Sequence, residues 1–105
     1  KKKIPADHLK FFKDLLPYYE TDQFIFVHAG LIPGRAINEQ SLYDMQWVRQ
    51  TFIDSDYDFG KRVVFGHTHF SEPMVAGNKI GIDTGAVYGG KLTCVELPAL
   101  KFYQV

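Results

Sequence analysis

Phe24-Ile25-Phe26-Val27-His28-Ala29-Gly30 and Arg62-Val63-Val64-Phe65-Gly66-His67-Thr68-His69 follow one pattern. In each, an unbroken apolar run gives way to a histidine within two residues of a glycine. Apolar runs without polar alternation suit strands covered on both faces, as in parallel or sandwiched sheets. Working outward, Pro5 is a good first residue for a helix, and Leu9, Phe11, Phe12, Leu15 and Leu16 recur at helical spacing until Pro17 ends it. Residues 18–21 read as a short extended piece before a turn at Asp22-Gln23. Ser41-Leu42-Tyr43-Asp44 has capping-box form and predicts one helix to about Ile53. Gly77-Asn78 lies between Met74-Val75-Ala76 and Lys79-Ile80-Gly81-Ile82, a hairpin signal. Residues 91–97 and 101–105 predict a closing antiparallel pair around Pro98. The fold class is mixed α/β with an antiparallel finish.

The composition narrows the partners. The chain has 105 residues, 46% hydrophobic and 23% charged, which excludes a disordered tail. Twelve basic residues balance twelve acidic ones, which argues against nucleic acid or an acidic membrane as the main partner. The one basic run, Lys1-Lys2-Lys3, reads as solvated. No apolar stretch reaches the roughly 18–20 residues of a membrane helix. Cys94 is the single cysteine, so no internal disulfide forms. A reducing, cytoplasmic setting is the expectation, and Cys94 reads as a small apolar strand filler. The chain does not begin with Met, and the expectation is that it belongs to something longer.

The chemistry gathers at the strand ends. In open α/β sheets ligands collect at the carboxyl ends of strands, where the flanking glycines turn the backbone and expose the imidazoles. His28 and His67 are far apart in sequence, so only the fold could unite them. His28 alone reads as a hydrogen-bonded turn residue rather than a ligand. Gly66-His67-Thr68-His69 shifts the reading toward a metal, because neutral imidazole ligates Zn, Mn, Fe or Ni. His8 reads as surface. Trp47, Phe52 and the other aromatics read as core. Asp83 could orient a ligand imidazole or hydrogen-bond its own turn, and the turn is favoured.

Phe26-Val27-His28-Ala29-Gly30, Trp47-Val48-Arg49, Val64-Phe65-Gly66-His67-Thr68-His69 and residues 82–93 (IDTGAVYGGKLT) occur in fixed order. Together they resemble the C-terminal half of a bacterial serine/threonine protein phosphatase of the calcineurin-like metallophosphoesterase superfamily, over about residues 4–97. The resemblance implies part of a four-layer αββα sandwich in which residues 1–105 form the rear half of one domain. It implies two divalent metal ions, Mn²⁺ first, with Fe, Zn or Ni as alternatives. By that match His28 and His67 hold the second ion and His69 the first. Arg49 matches the phosphate-binding arginine, and Tyr88 matches a tyrosine lining the active site, although it could equally just pack. Arg35, in the loop after His28, is a second phosphate candidate. The strings Gly-Asp-x-His-Gly, Gly-Asp-x-x-Asp-Arg-Gly and Gly-Asn-His-Glu/Asp do not occur in the sequence, so the front half of the domain is expected upstream.

The expected activity is metal-dependent hydrolysis of phosphomonoesters, first of a phosphoprotein at serine or threonine. A dinucleoside polyphosphate hydrolase acting on a small phosphoester is the enzymatic alternative, and a non-catalytic metal- or partner-binding module is the other. Residues 1–105 alone are expected to be inactive and to self-associate, because a divided sandwich exposes apolar faces and strand edges.

Overall fold

The computed structural model describes residues 3–105. Lys1 and Lys2 lie outside them, and Lys3 is exposed. The elements run α1 (Ala6–Asp14), β1 (Tyr18–Glu20), β2 (Phe24–Val27), α2 (Leu42–Trp47), α3 (Gln50–Ile53), β3 (Arg62–Phe65), β4 (Met74–Ala76), β5 (Lys79–Gly81), β6 (Asp83–Thr84), β7 (Lys91–Glu96) and β8 (Lys101–Gln104). Single 3-10 turns cover Ile37–Glu39 and Ala86–Tyr88.

Five strands form one sheet in the order β1-β2-β3-β5-β4, and β6-β7-β8 form a second. β2, β3 and β5 are mutually parallel neighbours, while β1 and β4 close the edges antiparallel. The apolar runs are covered on both faces, as their sequence requires. Ile25, Val27, Val63 and Phe65 face Leu31, Met45 and Phe52 from the helical side. Phe24, Val64 and Ile80 face Val95, Leu97 and Phe102, from the second sheet and the turn between β7 and β8. This is a sheet-on-sheet sandwich with helices over one outer face. The described residues thus supply three of the four expected layers. The outer face of the second sheet, with Leu92, Cys94 and Tyr103, is exposed.

Several expectations change. The helix over residues 42–53 is broken, with Val48 extended at φ −62°, ψ 144° and Arg49 at φ −127°, ψ −107°. The Met45 carbonyl, which would accept from Arg49 in an unbroken helix, instead accepts the Ala29 N–H at 2.8 Å. Ser41 caps α2 as expected, its Oγ accepting from the Asp44 N–H at 3.0 Å. Cys94 is not a filler but exposed, because alternation on β7 turns Thr93 inward and Cys94 out. Phe52 is core, fully buried, but Phe11, Phe12, Tyr19, Tyr43, Trp47, Tyr57, Tyr88 and Tyr103 are exposed. None of the residues of α1 is buried, and Phe11 and Phe12 stay more than half exposed.

Candidate functional site

Parallel pairing builds the site. The register sets Phe26 of β2 beside Val64 of β3, so the next positions along the two strands bring His28 beside Gly66. The Gly66 N–H donates to the His28 carbonyl at 2.7 Å and ties the two strand ends together. The His28 and His67 rings then lie 5.2 Å apart between centroids, tilted by 52°. Two histidines remote in sequence are neighbours because adjacent parallel strands end level.

His67 sits with φ +69°, a left-handed conformation that non-glycine residues adopt at a cost of about 1–3 kcal/mol and that clusters at functional sites. The Thr68 N–H donates to the Gly66 carbonyl at 2.7 Å, and the Phe70 N–H to the Asp83 carbonyl at 2.9 Å, pinning the turn at both ends. His67 Nε2 is buried with no hydrogen-bond partner, as is the adjacent Thr68 Oγ1. A buried imidazole nitrogen without a partner is costly unless something absent from the chain engages it. Burial holds the His67 pKa below the ordinary histidine range. The positive charge of Arg49 and then that of His28 add to this, against an opposing pull from Asp83. The imidazole is therefore kept neutral, the form that offers a lone pair to a cation.

Trp47 approaches His67 with ring centroids 5.6 Å apart and planes at 87°. Sequence reasoning placed this tryptophan in the core; it stands at the rim of the site, 56% exposed. Its place in the Trp47-Val48-Arg49 segment was the available signal. Arg49 is exposed at the break between α2 and α3, and its charge is felt at His67. Arg35 is engaged elsewhere, in an ion pair with Asp44 at 3.4 Å. His69 lies against Tyr88, ring centroids 5.0 Å apart, in a sector floored by Gly85. The Asp83 carboxylate accepts the Gly85 N–H at 3.0 Å, the turn bond favoured from sequence, while its charge also reaches His67. His8 is exposed on α1.

These observations test the fit of a metal. The residues present fit a cation ligated in part: a buried nitrogen on His67 with no hydrogen-bond partner, on a ring whose pKa is held down, and a second imidazole beside it. Among the described residues no three His, Cys, Asp or Glu side chains converge, so the chain offers an incomplete shell. A groove of about 1120 Å³ opens at the pair, lined by His28, His67, Trp47, Met45, Leu16 and Tyr18 among others.

The chain is similar to bacterial bis(5'-nucleosyl)-tetraphosphatases. It is 35% identical over 80 residues to bis(5'-nucleosyl)-tetraphosphatase PrpE [asymmetrical] of Bacillus mycoides strain KBAB4. It is 34% identical over 80 residues to the protein of the same name from Bacillus cereus strain Q1. Each match covers 76% of this chain, which spans about 30% of the relative's length. These bis(5'-nucleosyl)-tetraphosphatases are calcineurin-like metallophosphoesterases, the superfamily whose motifs the chain resembles. Its fold matches the crystal structure of a candidate diadenosine tetraphosphatase at a TM-score of 0.82 and 21% identity, over 97% of this chain and 55% of that one. No family model matches the sequence. No described helix is long and apolar enough to cross a membrane.

Proposed function

We propose that the chain forms part of the active site of a two-metal phosphoesterase that hydrolyses dinucleoside polyphosphates through an activated water. The observation that carries this is the His28–His67 pair at the ends of adjacent parallel strands, with His67 Nε2 buried, neutral and unpartnered. In this reading His28 and His67 hold one ion and His69 contributes to a second, Mn²⁺ first. The remaining donors come from outside these residues, in keeping with a chain that spans about 30% of its relatives' length. The relatives' names favour a dinucleoside tetraphosphate over a phosphoprotein substrate.

When bound, two such ions neutralise phosphate charge and acidify a water molecule. The chain's own residues do the positioning. Arg49 presents a planar fork to two phosphate oxygens, which lysine cannot copy. Tyr88, its ring tilted 43° against that of His69, flanks this imidazole. Burial keeps His67 unprotonated, so its nitrogen stays a donor of electrons.

The test compares diadenosine tetraphosphate with a phosphopeptide as substrates of the intact protein loaded with Mn²⁺, alongside His67→Asn. The expected result is preferential cleavage of the dinucleotide. The variant should bind less metal and turn over at least about tenfold more slowly, the scale on which even outer-shell losses act. Unchanged metal stoichiometry in the variant overturns the ligand assignment, and preference for the phosphopeptide overturns the substrate.

A further inference from the structure

Two exposed aromatic rings on α2 have no structural task. Tyr43 and Trp47 lie four residues apart, one helical turn, so they share a face. Their ring centroids are 6.3 Å apart and their planes within 32°, and they are 71% and 56% exposed. A tyrosine and a tryptophan side by side and more than half exposed leave bare apolar area that a protein ordinarily covers. The shelf they form runs into the site itself, because Trp47 meets His67. The groove beside Trp47 is also lined by Asn38 and Gln46. Among the described residues neither of these amide side chains takes part in a hydrogen bond within the protein, so both offer a donor and an acceptor to a ligand.

We infer that Tyr43 and Trp47 form a nucleobase shelf, on which one base of the dinucleoside polyphosphate stacks while its phosphates reach His28, His67 and Arg49. This rests on the reading of the site as a dinucleoside polyphosphate hydrolase and adds how a base, rather than a phosphate alone, is recognised. The chemistry is matched. A base is a flat, apolar π-surface with a polar edge, and aromatic side chains bind it by stacking with little regard to its identity. Amides such as Asn38 and Gln46 can pair with the polar edge. A phosphoserine peptide carries no such ring, so the shelf also separates the two substrate classes. Tyr43 and Trp47 touch no reacting atom; they act on affinity.

Trp47 is the single tryptophan of the chain, so its fluorescence reports on the shelf directly and without turnover. The protein is titrated with diadenosine tetraphosphate and, separately, with inorganic tripolyphosphate, which has phosphates but no base. Saturable quenching by the dinucleotide, well beyond any change with tripolyphosphate, is the expected result. Tyr43→Leu should weaken dinucleotide binding about 5- to 150-fold relative to tripolyphosphate, the range of one base–aromatic stack. Trp47→Leu, followed by calorimetry because the reporter is lost, should do the same, and Trp47→Phe should restore part of the affinity. Equal quenching by the two ligands, or equal loss of affinity for both in Tyr43→Leu, overturns the shelf. If the dinucleotide quenches the 105-residue chain in a Tyr43-dependent way but the intact Mn²⁺-loaded protein does not hydrolyse it, the shelf stands and the hydrolase reading fails.

Discussion

Replacing Gly30 by alanine should be among the most damaging single-methyl changes in this chain. Gly30 has φ +152°, where L-residues are strained, and a Cβ there would lie 2.5 Å from Phe52 Cδ2, 2.6 Å from Phe52 Cγ and 3.0 Å from Val48 Cγ1. Phe52 cannot retreat. It is fully buried and packs edge-on against Phe65 with centroids 5.1 Å apart. The backbone strain is worth about 1–3 kcal/mol. Overpacking adds about 1–3 kcal/mol. The sum, about 2–6 kcal/mol, is a large part of the ~5–15 kcal/mol of an ordinary domain. At about 4–8 °C per kcal/mol, the melting temperature should fall by about 8 °C or more. Gly34→Ala is the control, since φ is +83° there but nothing lies within 4 Å of the added carbon. It should lose only the backbone term, about 1–2 kcal/mol. Urea denaturation of both variants separates strain from collision. Phe52→Leu in the Gly30→Ala background should recover part of the loss through a coupling of about 0.5–3 kcal/mol. Equal costs for Gly30→Ala and Gly34→Ala, with no coupling to Phe52, would refute the claim that the His28 turn is packed directly on Phe52.

Arg49→Ala should raise KM, lower kcat, or both, by about 10- to 150-fold, as expected for one charge-assisted bond of about 1.5–3 kcal/mol, while bound metal stays constant; wild-type kinetics would return Arg49 to the solvated surface. Lys79 is buried, donates to the Ser55 carbonyl and lies 5.1 Å over the Phe52 ring, and burial lowers its pKa against the pull of Asp56 and Asp54. The folded state then binds fewer protons than the unfolded one between that lowered value and the ordinary lysine value, so Lys79's contribution to stability increases with pH across this window. Tyr103, raised by its hydrogen bond to Glu96, acts oppositely, so the alkaline denaturation midpoints should be compared between wild type and Lys79→Met, which should lack the Lys79 increment. The bare apolar stripe of α1 and the two residues after it, with Phe11, Phe12, Leu15 and Leu16 all more than half exposed, predicts concentration-dependent association of the 105-residue chain by light scattering. Phe12→Lys with Leu16→Lys should shift it toward monomer, and a monodisperse wild-type monomer would contradict this.

The local chemistry of the sequence determined which segments are strands, where the Gly77-Asn78 hairpin turns and where Ser41 caps a helix, because each depends on neighbours within a few residues. It also marked His28 and His67, since a histidine near glycine at the end of an apolar run is a local pattern, whereas Arg49 was marked only by the resemblance of Trp47-Val48-Arg49 to a family motif. Other features depended on contacts between distant residues. The Ala29–Met45 hydrogen bond, and with it the break at Val48-Arg49, joins a strand end to a helix that could come together only once both were folded. The pairing of His28 with His67 follows from β2 and β3 being parallel neighbours, which no spacing along the chain encodes. Trp47 and Cys94 were misplaced for the same reason. Hydrophobicity says that a side chain prefers cover, but only the tertiary arrangement decides which faces are covered, and here α2 leaves Trp47 at the rim while the outer face of the second sheet leaves Cys94 bare.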